Sequence, residues 1–213
     1  MTGQTVVVFA GGLGRPAAVS LPAGATVIAA DSGAELALKL GLRVDQLVGD
    51  LDSLSPTTLE AVERSGADVE RHPTAKDESD LELALMAALA LDPARILVLG
   101  GADGRLDHLL GELHLLAADA FSRVEIDAQL GAAAIHVVHG ERVLMGAAGE
   151  LISLFALHGP ATGVVTEGLV YELRNEVLTP GSSRGLSNTF AASQARIIVG
   201  GGVVLAVRPG RRV

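Results

Sequence analysis

Two aspartates spaced two residues apart form the stretch best suited to chemistry, Gly49-Asp50-Leu51-Asp52-Ser53. A short apolar run, Leu47-Val48, precedes them, and in an extended strand residues i and i+2 point the same way. We therefore expect the carboxylates of Asp50 and Asp52 to project from one spot at the end of a strand. Two neighbouring anions call for a cation, and Mg²⁺ is typically held by one or two carboxylates together with phosphate. The alternative is a solvated turn, because Asp and Ser are common in turns.

Further acidic residues stand at the predicted start of a helix. Asp77 and Asp80 lie three residues apart, directly before a long helical segment, Leu81–Leu91. This spacing puts both carboxylates on one side of the first turn, where they could hold a cation. Lys76 beside them could reach a phosphate as a point charge. The helix dipole alone also favours acidic residues at this position.

A glycine-rich loop follows the buried strand predicted over Arg95–Leu99. It runs from Gly100 and Gly101 to Arg105, and Asp107 and His108 then open another helix. Glycines let the backbone approach a phosphate closely, and Arg supplies a forked donor. The alternative is an ordinary glycine turn with a solvated Arg, in which Asp107 and His108 only decorate a helix N-terminus.

Asp31 follows a third predicted strand, Thr26–Ala30, and precedes a helix predicted over Ala34–Leu40. Its type and position predict a helix cap. The same position is a strand end, and open α/β sheets bind their ligands beyond the carboxyl ends of their strands. Both roles are compatible.

The elements that must position these residues alternate between strand and helix up to about residue 128. This alternation predicts an α/β domain over residues 1–130, with a mostly parallel sheet and helices on both faces. From Ala134 onward, short alternating runs separated by Gly and Pro predict a second, all-β sandwich or barrel domain over residues 131–213. The runs predicted as its strands are Ile135–Val138, Arg142–Met145, Leu151–Leu157, Gly163–Thr166, Leu169–Leu173, Arg196–Val199 and Val203–Val207.

Composition narrows the functional classes. The 213 residues carry a net charge of −9 and only five aromatic side chains, which disfavours nucleic acid and anionic membranes as partners. Residues 1–128 hold 20 acidic and nine basic residues, and no Asp follows Asp127. The chain has no Cys, which excludes disulfides and zinc–thiolate sites. With no signal-peptide pattern and no membrane-length apolar stretch, we expect a cytoplasmic protein.

A Rossmann-type oxidoreductase is a weaker alternative. Gly12-Leu13-Gly14-Arg15-Pro16-Ala17 follows the first predicted strand, Thr5–Ala10, and resembles the dinucleotide-binding fingerprint only in part. Pro16 falls inside the expected helix start, so the fingerprint is broken.

Taken together, these motifs resemble those of the thiamine pyrophosphokinase family, in the same order along the chain. Ser32, Glu35, Leu51, Ser79 and Thr189 differ from the residues usual in the family. The segments that carry the resemblance are Asp31–Ala34, Gly49–Leu54, Lys76–Glu82, Gly100–His108, Val165–Leu169 and Arg184–Asn188.

The resemblance implies Mg²⁺, ATP as donor, and attack of the thiamine hydroxyl on the β-phosphorus with release of AMP. It also implies a homodimer with thiamine bound near the subunit interface. An inactive nucleotide- and Mg²⁺-binding regulatory module of the same fold is the alternative function.

The predicted site residues fall into four overlapping groups. The predicted catalytic residues are Asp50, Asp52, Asp77, Asp80 and Asp107. The predicted metal ligands are Asp50, Asp52 and Asp77. The predicted ATP-binding residues are Asp31, Ser53, Lys76, Ser79, Gly100, Gly101, Arg105 and His108. The predicted thiamine contacts are Asp80, Asp107, Ser187 and Asn188. We further expect the acidic pocket to favour the cationic thiazolium of thiamine.

Overall fold

The computed structural model describes residues 3–12, 14 and 21–210. Contacts divide the chain into two compact units. Unit 1 comprises the described residues within Met1–Glu112 and Val124–Ala132, and unit 2 those within Leu113–Arg123 and Ala133–Val213. The contacts thus group residues 113–123 with unit 2, whereas the sequence places them in the first domain. The domain ranges 1–130 and 131–213 stay a prediction.

Unit 1 contains six strands in the order β4-β3-β2-β1-β5-β6, and every neighbouring pair among them is parallel. Apolar runs build its centre, since Val6 to Phe9 of β1 are fully buried. The strand bounds are β1 Thr5–Phe9, β2 Thr26–Ala30, β3 Gln46–Gly49, β4 Asp68–Arg71, β5 Arg95–Gly100 and β6 Glu125–Leu130.

The helices are α1 Gly33–Lys39, α2 Pro56–Arg64, α3 Asp80–Ala90 and α4 Leu106–Leu116. Helix α2 begins with a capped first turn, because Ser55 accepts a hydrogen bond from the Thr58 N–H and Pro56 takes the first helical position. Helix α3 packs against β1, β2 and β3. Its buried face consists of Leu81, Ala84, Leu85 and Ala88.

Unit 2 consists of antiparallel strand pairs. Strands β7, β13, β9, β12 and β8 are neighbours in that order, and β10 and β11 also pair with β9. A single-turn 3₁₀ helix, Asp119–Phe121, is the short helical element of this unit. The strand bounds are β7 Ala133–Val138, β8 Glu141–Met145, β9 Leu151–Glu167, β10 Arg174–Leu178, β11 Asn188–Thr189, β12 Gln194–Ile198 and β13 Gly201–Arg208.

Strand β9 differs from the prediction, because the structure joins the expected strands Leu151–Leu157 and Gly163–Thr166 into one. Positive φ angles at His158 (59°), Gly159 (154°) and Gly163 (62°) interrupt it. At this interruption the strand changes partners, from β11 and β13 at its start to β10 and β12 at its end. The glycines in the sequence therefore mark bulges in a long strand and not a loop between two strands.

The strand predicted over Leu169–Leu173 is wrong. Leu169 makes only an isolated bridge to Phe190, and the strand begins at Arg174. Leu169 and Leu173 are nevertheless buried at 3% and 2% exposure. Their apolar character therefore reports burial and not strand pairing.

The fold as a whole combines helices with both parallel and antiparallel strand pairs. Each unit has its own buried apolar cluster, centred on residues such as Phe9 and Leu47 in unit 1 and Phe190 and Ile197 in unit 2. Across the described ranges, no helix combines the length and apolar character needed to cross a membrane. Leu13 and residues 15–17 of the incomplete dinucleotide motif lie outside the described residues.

Candidate active site

The site in unit 1 begins where β2 and β3 end side by side. These strands are parallel, with Ala30 opposite Val48, and the Asp31 N–H donates to the Val48 carbonyl at 2.9 Å. This register places Asp31 beside the residues that follow Gly49. The carboxyl ends of the two strands therefore bring their acidic residues to one edge of the sheet.

Asp31, Asp50 and Asp52 each place a carboxylate oxygen within 4.8 Å of the other two. The backbone conformation that brings Asp50 and Asp52 together is not the extended strand that the sequence predicts. Leu51 has a φ of 63°, and the Asp52 N–H donates to Asp50 Oδ1 at 3.2 Å. A tight turn beyond β3 thus brings Asp50 and Asp52 together. The metal-ligand and turn interpretations of this stretch are compatible.

Asp31 is the buried member of the cluster, with 7% of its surface exposed. Its Oδ2 accepts a hydrogen bond from the Ser53 hydroxyl, whereas its Oδ1 is buried without a hydrogen-bond partner among the described residues. Burial raises the pKa of the Asp31 carboxyl above its ordinary value, against the hydrogen bond from Ser53. A buried oxygen without a partner is costly, so Asp31 presents an unused acceptor to the cluster.

Asp80, the first residue of α3, and Lys76, four residues before it, join the cluster. A Cβ atom on Gly49 would lie 3.0 Å from Asp80 Oδ1, so Asp80 sits directly over the end of β3. Lys76 Nζ lies 3.0 Å from Asp80 Oδ1 and 3.5 Å from Asp50 Oδ2. The hydrogen bond from the Asp52 N–H, together with Lys76, lowers the pKa of the Asp50 carboxyl in spite of its burial.

The predicted neighbours Asp77 and Ser79 are placed differently. Ser79 caps α3, since its hydroxyl accepts from the Glu82 N–H at 3.2 Å. Asp77 is exposed, and within the described part of the chain it makes no hydrogen bond or ion pair. The three carboxylates that the structure brings together are therefore Asp31, Asp50 and Asp52, and not the predicted metal set of Asp50, Asp52 and Asp77.

The glycine-rich loop follows β5, which lies beside β1 in the sheet. Gly101 N–H donates to the Gly11 carbonyl at 3.4 Å, and a Cβ on Gly12 would lie 3.2 Å from the Gly101 carbonyl oxygen. The backbones that follow β1 and β5 thus touch, and this contact leaves little room for a side chain at Gly12.

The charged end of this loop is exposed. Arg105 Nε donates to Asp107 Oδ1 at 3.2 Å, and the Nη2 atom of Arg105 makes a second bond to the same carboxylate. These bonds lower the pKa of Asp107 to about 2, so the carboxylate is ionised at neutral pH. His108 is also exposed. No hydrogen bond or ion pair in the described ranges links Asp107 to the carboxylates at the ends of β2 and β3.

In unit 2, the predicted thiamine contacts take two different roles. Asn188 is buried, with Oδ1 accepting from the Tyr171 N–H at 3.0 Å and the Thr189 N–H at 2.9 Å. Its Nδ2 donates to the Tyr171 carbonyl at 2.7 Å. Ser187 is exposed, and its backbone N–H donates to Ser153 Oγ. Asn188 therefore fixes the backbone at Tyr171, while Ser187 lies at the surface.

A cavity of about 390 Å³ opens beside Asn188. Tyr171 and Arg184 were absent from the predicted site residues although both line it. Tyr171 is the single tyrosine of the chain, and Arg184 binds Glu176 through three contacts of 2.8–3.0 Å. The polar loop at residues 181–188 was the available signal. The full lining is Tyr171, Leu173, Ser182, Ser183, Arg184, Gly185, Leu186 and Asn188.

Two family profiles match the chain. The family described as "Thiamin pyrophosphokinase, catalytic domain" matches residues 21–127, and that described as "Thiamin pyrophosphokinase, vitamin B1 binding domain" matches residues 134–204. The first match spans half of the chain, and it contains every carboxylate of the unit 1 cluster.

Individual proteins resemble the chain over most of its length. A thiamine pyrophosphokinase from Bacillus subtilis is 25% identical over 191 residues, which cover 85% of this chain and 86% of that protein. Thiamine pyrophosphokinase 1 from Oryza sativa is 26% identical over 174 residues, covering 75% of this chain and 64% of the rice protein. The crystal structure of the thiamine pyrophosphokinase from Bacillus subtilis superposes with a TM-score of 0.85 at 24% identity, covering 98% of this chain and 100% of that one.

Proposed function

The chain belongs to the thiamin pyrophosphokinase family, and on that basis we propose that it transfers the pyrophosphoryl group of ATP to the hydroxyl of thiamine, giving thiamine diphosphate and AMP. The observation that carries the proposal is the meeting of Asp31, Asp50 and Asp52 within 4.8 Å at the ends of β2 and β3. Phosphoryl-type transfer depends mainly on positioning and on neutralising negative charge, and a carboxylate cluster with a cation serves both needs.

The donor set fits Mg²⁺. Each of these three residues offers a carboxylate oxygen, and the buried Oδ1 of Asp31 lacks a hydrogen-bond partner among the described residues. Oxygen-only ligands suit Mg²⁺, which commonly binds one or two carboxylates together with phosphate. When bound, the ion would supply positive charge to the phosphate oxygens of ATP. Asp31, Asp50 and Asp52 would hold it, with Ser53 fixing the Asp31 carboxylate.

We assign the phosphates of ATP to the cations and backbone amides around this edge. Arg105 has a forked donor that is now paired with Asp107, and a phosphate oxygen would compete for the same N–H groups. The backbone at Gly100 and Gly101 offers close approach, and Lys76 offers a point charge. Asp31, Ser53, Ser79 and His108 complete the proposed ATP-binding residues.

We assign thiamine to both acidic and polar groups. Asp80 and Asp107 are proposed to orient its reacting hydroxyl, and Asp77 remains in the proposed catalytic set. Ser187 and Asn188 are proposed to contact its ring system, and the cavity beside Asn188 falls within the usual size range for small-molecule sites. Asn188 would act there mainly by holding Tyr171 in place, because its amide oxygen is already bonded twice.

The remaining proposals concern organisation. We propose an α/β catalytic domain over residues 1–130 and a β domain over residues 131–213 that contributes to thiamine binding and dimerisation. We further propose a cytoplasmic homodimer with thiamine near the subunit interface. Exposed apolar side chains on unit 2, among them Met145 (64%) and Val170 (54%), support a protein partner for this unit.

Product analysis tests the function. The protein is incubated with ATP, Mg²⁺ and thiamine, and the nucleotides and thiamine esters are separated by chromatography. We expect AMP and thiamine diphosphate in equal amounts. ADP with thiamine monophosphate would show single phosphoryl transfer instead, and absence of AMP above background would contradict the proposal. The inactive-module alternative predicts that absence, and the family membership does not favour it.

A further inference from the structure

Lys76 occupies an unusual position among the basic residues of the chain. The sequence contains 14 arginines and only two lysines, Lys39 and Lys76. Lys39 is exposed on α1 and pairs with Glu35 one helical turn away, at 3.4 Å. Lys76 instead bridges Asp50 and Asp80, at 3.5 Å and 3.0 Å, with only 11% of its side chain exposed.

The bridge neutralises charge in a cluster of four carboxylates in unit 1. Asp50 and Asp80 lie beside Asp31 and Asp52, so four carboxylates share one edge of the sheet. Within the described residues, Lys76 is the cation that forms ion pairs with this group. Without a cation the carboxylates would repel one another, because like charges at this separation raise the energy of the ionised state. Burial alone would lower the pKa of Lys76, but its two carboxylate partners raise it above its ordinary value.

A lysine is better suited than an arginine to a cation that must move away from its carboxylate partners. An Arg side chain would grip a carboxylate through two parallel N–H bonds, as Arg184 does with Glu176 and Arg196 does with Glu141. An ammonium group is a compact, strongly hydrated point charge on a flexible stem of four carbons. It can neutralise Asp50 and Asp80 and then swing away from them without dismantling a fixed fork.

We propose that Lys76 is the resident counter-cation of the metal-free cluster, and that a divalent cation displaces its ammonium from Asp50 and Asp80. The inference rests on the Mg²⁺ site of the proposed function and extends it. The released ammonium remains tethered beside the cluster, where it meets an incoming phosphate. Metal binding thereby prepares the phosphate contact, and metal and nucleotide bind with positive coupling.

Amine acylation of the unmodified protein tests the displacement, because each lysine reports separately. The protein is treated briefly with acetic anhydride, with and without Mg²⁺ and with no nucleotide, and acetylation is quantified by mass spectrometry. We expect Mg²⁺ to raise the rate at Lys76 by about tenfold, the factor that corresponds to release from an interaction of ~1.4 kcal/mol. The rate at Lys39 should not change. An unchanged Lys76 rate at saturating Mg²⁺ would overturn the proposal.

Metal affinity provides the second measurement. Lys76→Met keeps a long unbranched side chain but removes the charge, and Lys39→Met is the matched control. In calorimetric titrations with Mn²⁺ and no nucleotide, we expect Lys76→Met to bind the metal about tenfold more tightly than the native protein, because no ammonium competes. Lys39→Met should match the native protein. Equal or weaker binding by a folded Lys76→Met protein, or binding by neither, would contradict the proposal.

The outcomes separate this inference from the proposed function. If the native protein forms AMP and thiamine diphosphate but Mg²⁺ does not change the acetylation rate of Lys76, the counter-cation role is wrong and the proposed function is supported. If the rate rises with Mg²⁺ but no AMP forms, the cation exchange stands and the function fails.

Discussion

At the scale of single residues, the site is made by side chains whose neighbours hold them in one charge state and one direction. Asp50 receives the Asp52 N–H and the Lys76 ammonium, and both favour its ionised form. Asp31 is buried, and its burial opposes ionisation. The cluster therefore combines one buried acid that lacks a partner at Oδ1, one largely buried acid that is held ionised by an N–H and an ammonium, and one exposed acid. A bound cation would stabilise this arrangement.

Asp52 is the most accessible carboxylate of the cluster, so its replacement separates function from folding. We expect Asp52→Asn to lower kcat by about 100-fold or more, because one charge that positions the phosphates is lost. Its unfolding free energy should change by no more than about 0.5 kcal/mol, since Asp52 is exposed. Asp68→Asn on β4, also exposed, is the control that should retain activity. AMP release and thermal unfolding measure both effects, and full activity in Asp52→Asn would remove this residue from the site.

Asn188 and Ser187 are adjacent but should respond differently. Asn188→Ala removes three hydrogen bonds to the backbone of Tyr171 and Thr189, so we expect a loss of about 2 kcal/mol in unfolding free energy. Ser187→Ala should leave stability within about 0.5 kcal/mol of the native value and raise the KM for thiamine. Chemical denaturation and steady-state kinetics distinguish the two. An Asn188→Ala protein of native stability would contradict the structural role of this side chain.

At the scale of elements, close backbone contacts at the strand ends bring the helices to the site. Helix α1 starts at Gly33, where a Cβ atom would lie 2.0 Å from the Phe9 carbonyl oxygen. Only Gly fits this contact between the start of α1 and the end of β1. The contact belongs to the same turn that carries Asp31.

Two Gly→Ala substitutions should therefore change the unfolding free energy in opposite directions. Gly33→Ala forces α1 away from β1, and we expect it to lower the unfolding free energy by about 1–3 kcal/mol. Gly111 lies on the exposed face of α4, where a Cβ atom would meet nothing within 4 Å. Gly111→Ala should raise stability by about 0.5–1 kcal/mol, because Ala favours the helix. Urea denaturation measures both, and a stabilised Gly33→Ala protein would show that α1 can shift freely.

Helix α4 also carries a titrating acid. Burial raises the pKa of Glu112 to about 7, from an ordinary value of 4.5. The buried protonated form is thus favoured, and the contribution of Glu112 to stability is full below pH 4.5 and is lost as the pH rises through 7. We expect Glu112→Gln to raise the Tm at pH 8 relative to the native protein, and this gain should vanish below about pH 4.5. Thermal unfolding between about pH 4 and 8 measures it, and a Tm difference that stays constant across this range would contradict the prediction.

At the scale of the whole molecule, the acidic charge and the exposed apolar side chains are distributed differently. Residues up to 128 hold 20 of the 25 acidic residues of the chain. Exposed apolar side chains occur on both units, among them Met86 on α3 and Met145 on β8. On β8, which pairs with β12 on one side, Val143 and Met145 are 51% and 64% exposed and point to the same face. This exposed apolar pair is the surface that we propose for the contact of the homodimer.

The proposed homodimer makes this surface testable. We expect sedimentation velocity to show a dimer at micromolar protein. In a Val143→Glu, Met145→Glu double variant, the dissociation constant of the dimer should rise by at least about tenfold, since two charges would be buried in the contact. Met86→Glu, which alters an exposed apolar residue of α3, should sediment like the native protein. A native protein that is monomeric and fully active would contradict the dimer proposal.

Local sequence signals were enough to predict most elements and the kind of chemistry. Apolar runs predicted the strands and helices of the first 130 residues closely, because burial leaves a local signal in the sequence. The predicted helix cap at Asp31 was wrong: Ser32 holds the N-cap position of α1 without a side-chain cap bond, and the Asp31 carboxylate accepts from Ser53 instead. Asp and Gly at strand ends predicted the region of the site. In the second half, the same signals misplaced β10 and divided β9, since apolar residues such as Leu169 are buried there without pairing in a strand.

Which of the predicted residues meet depended on the tertiary structure. The parallel register of β2 and β3 put Asp31 beside Asp50 and Asp52, and the seating of α3 over Gly49 added Asp80 while leaving Asp77 in solvent. The tertiary structure also gave Lys76 two carboxylate partners, and it placed the Asn188 amide in hydrogen bonds with the backbone of Tyr171. These outcomes depend on distances between segments far apart in sequence, and no local pattern of charge or hydrophobicity encodes such distances.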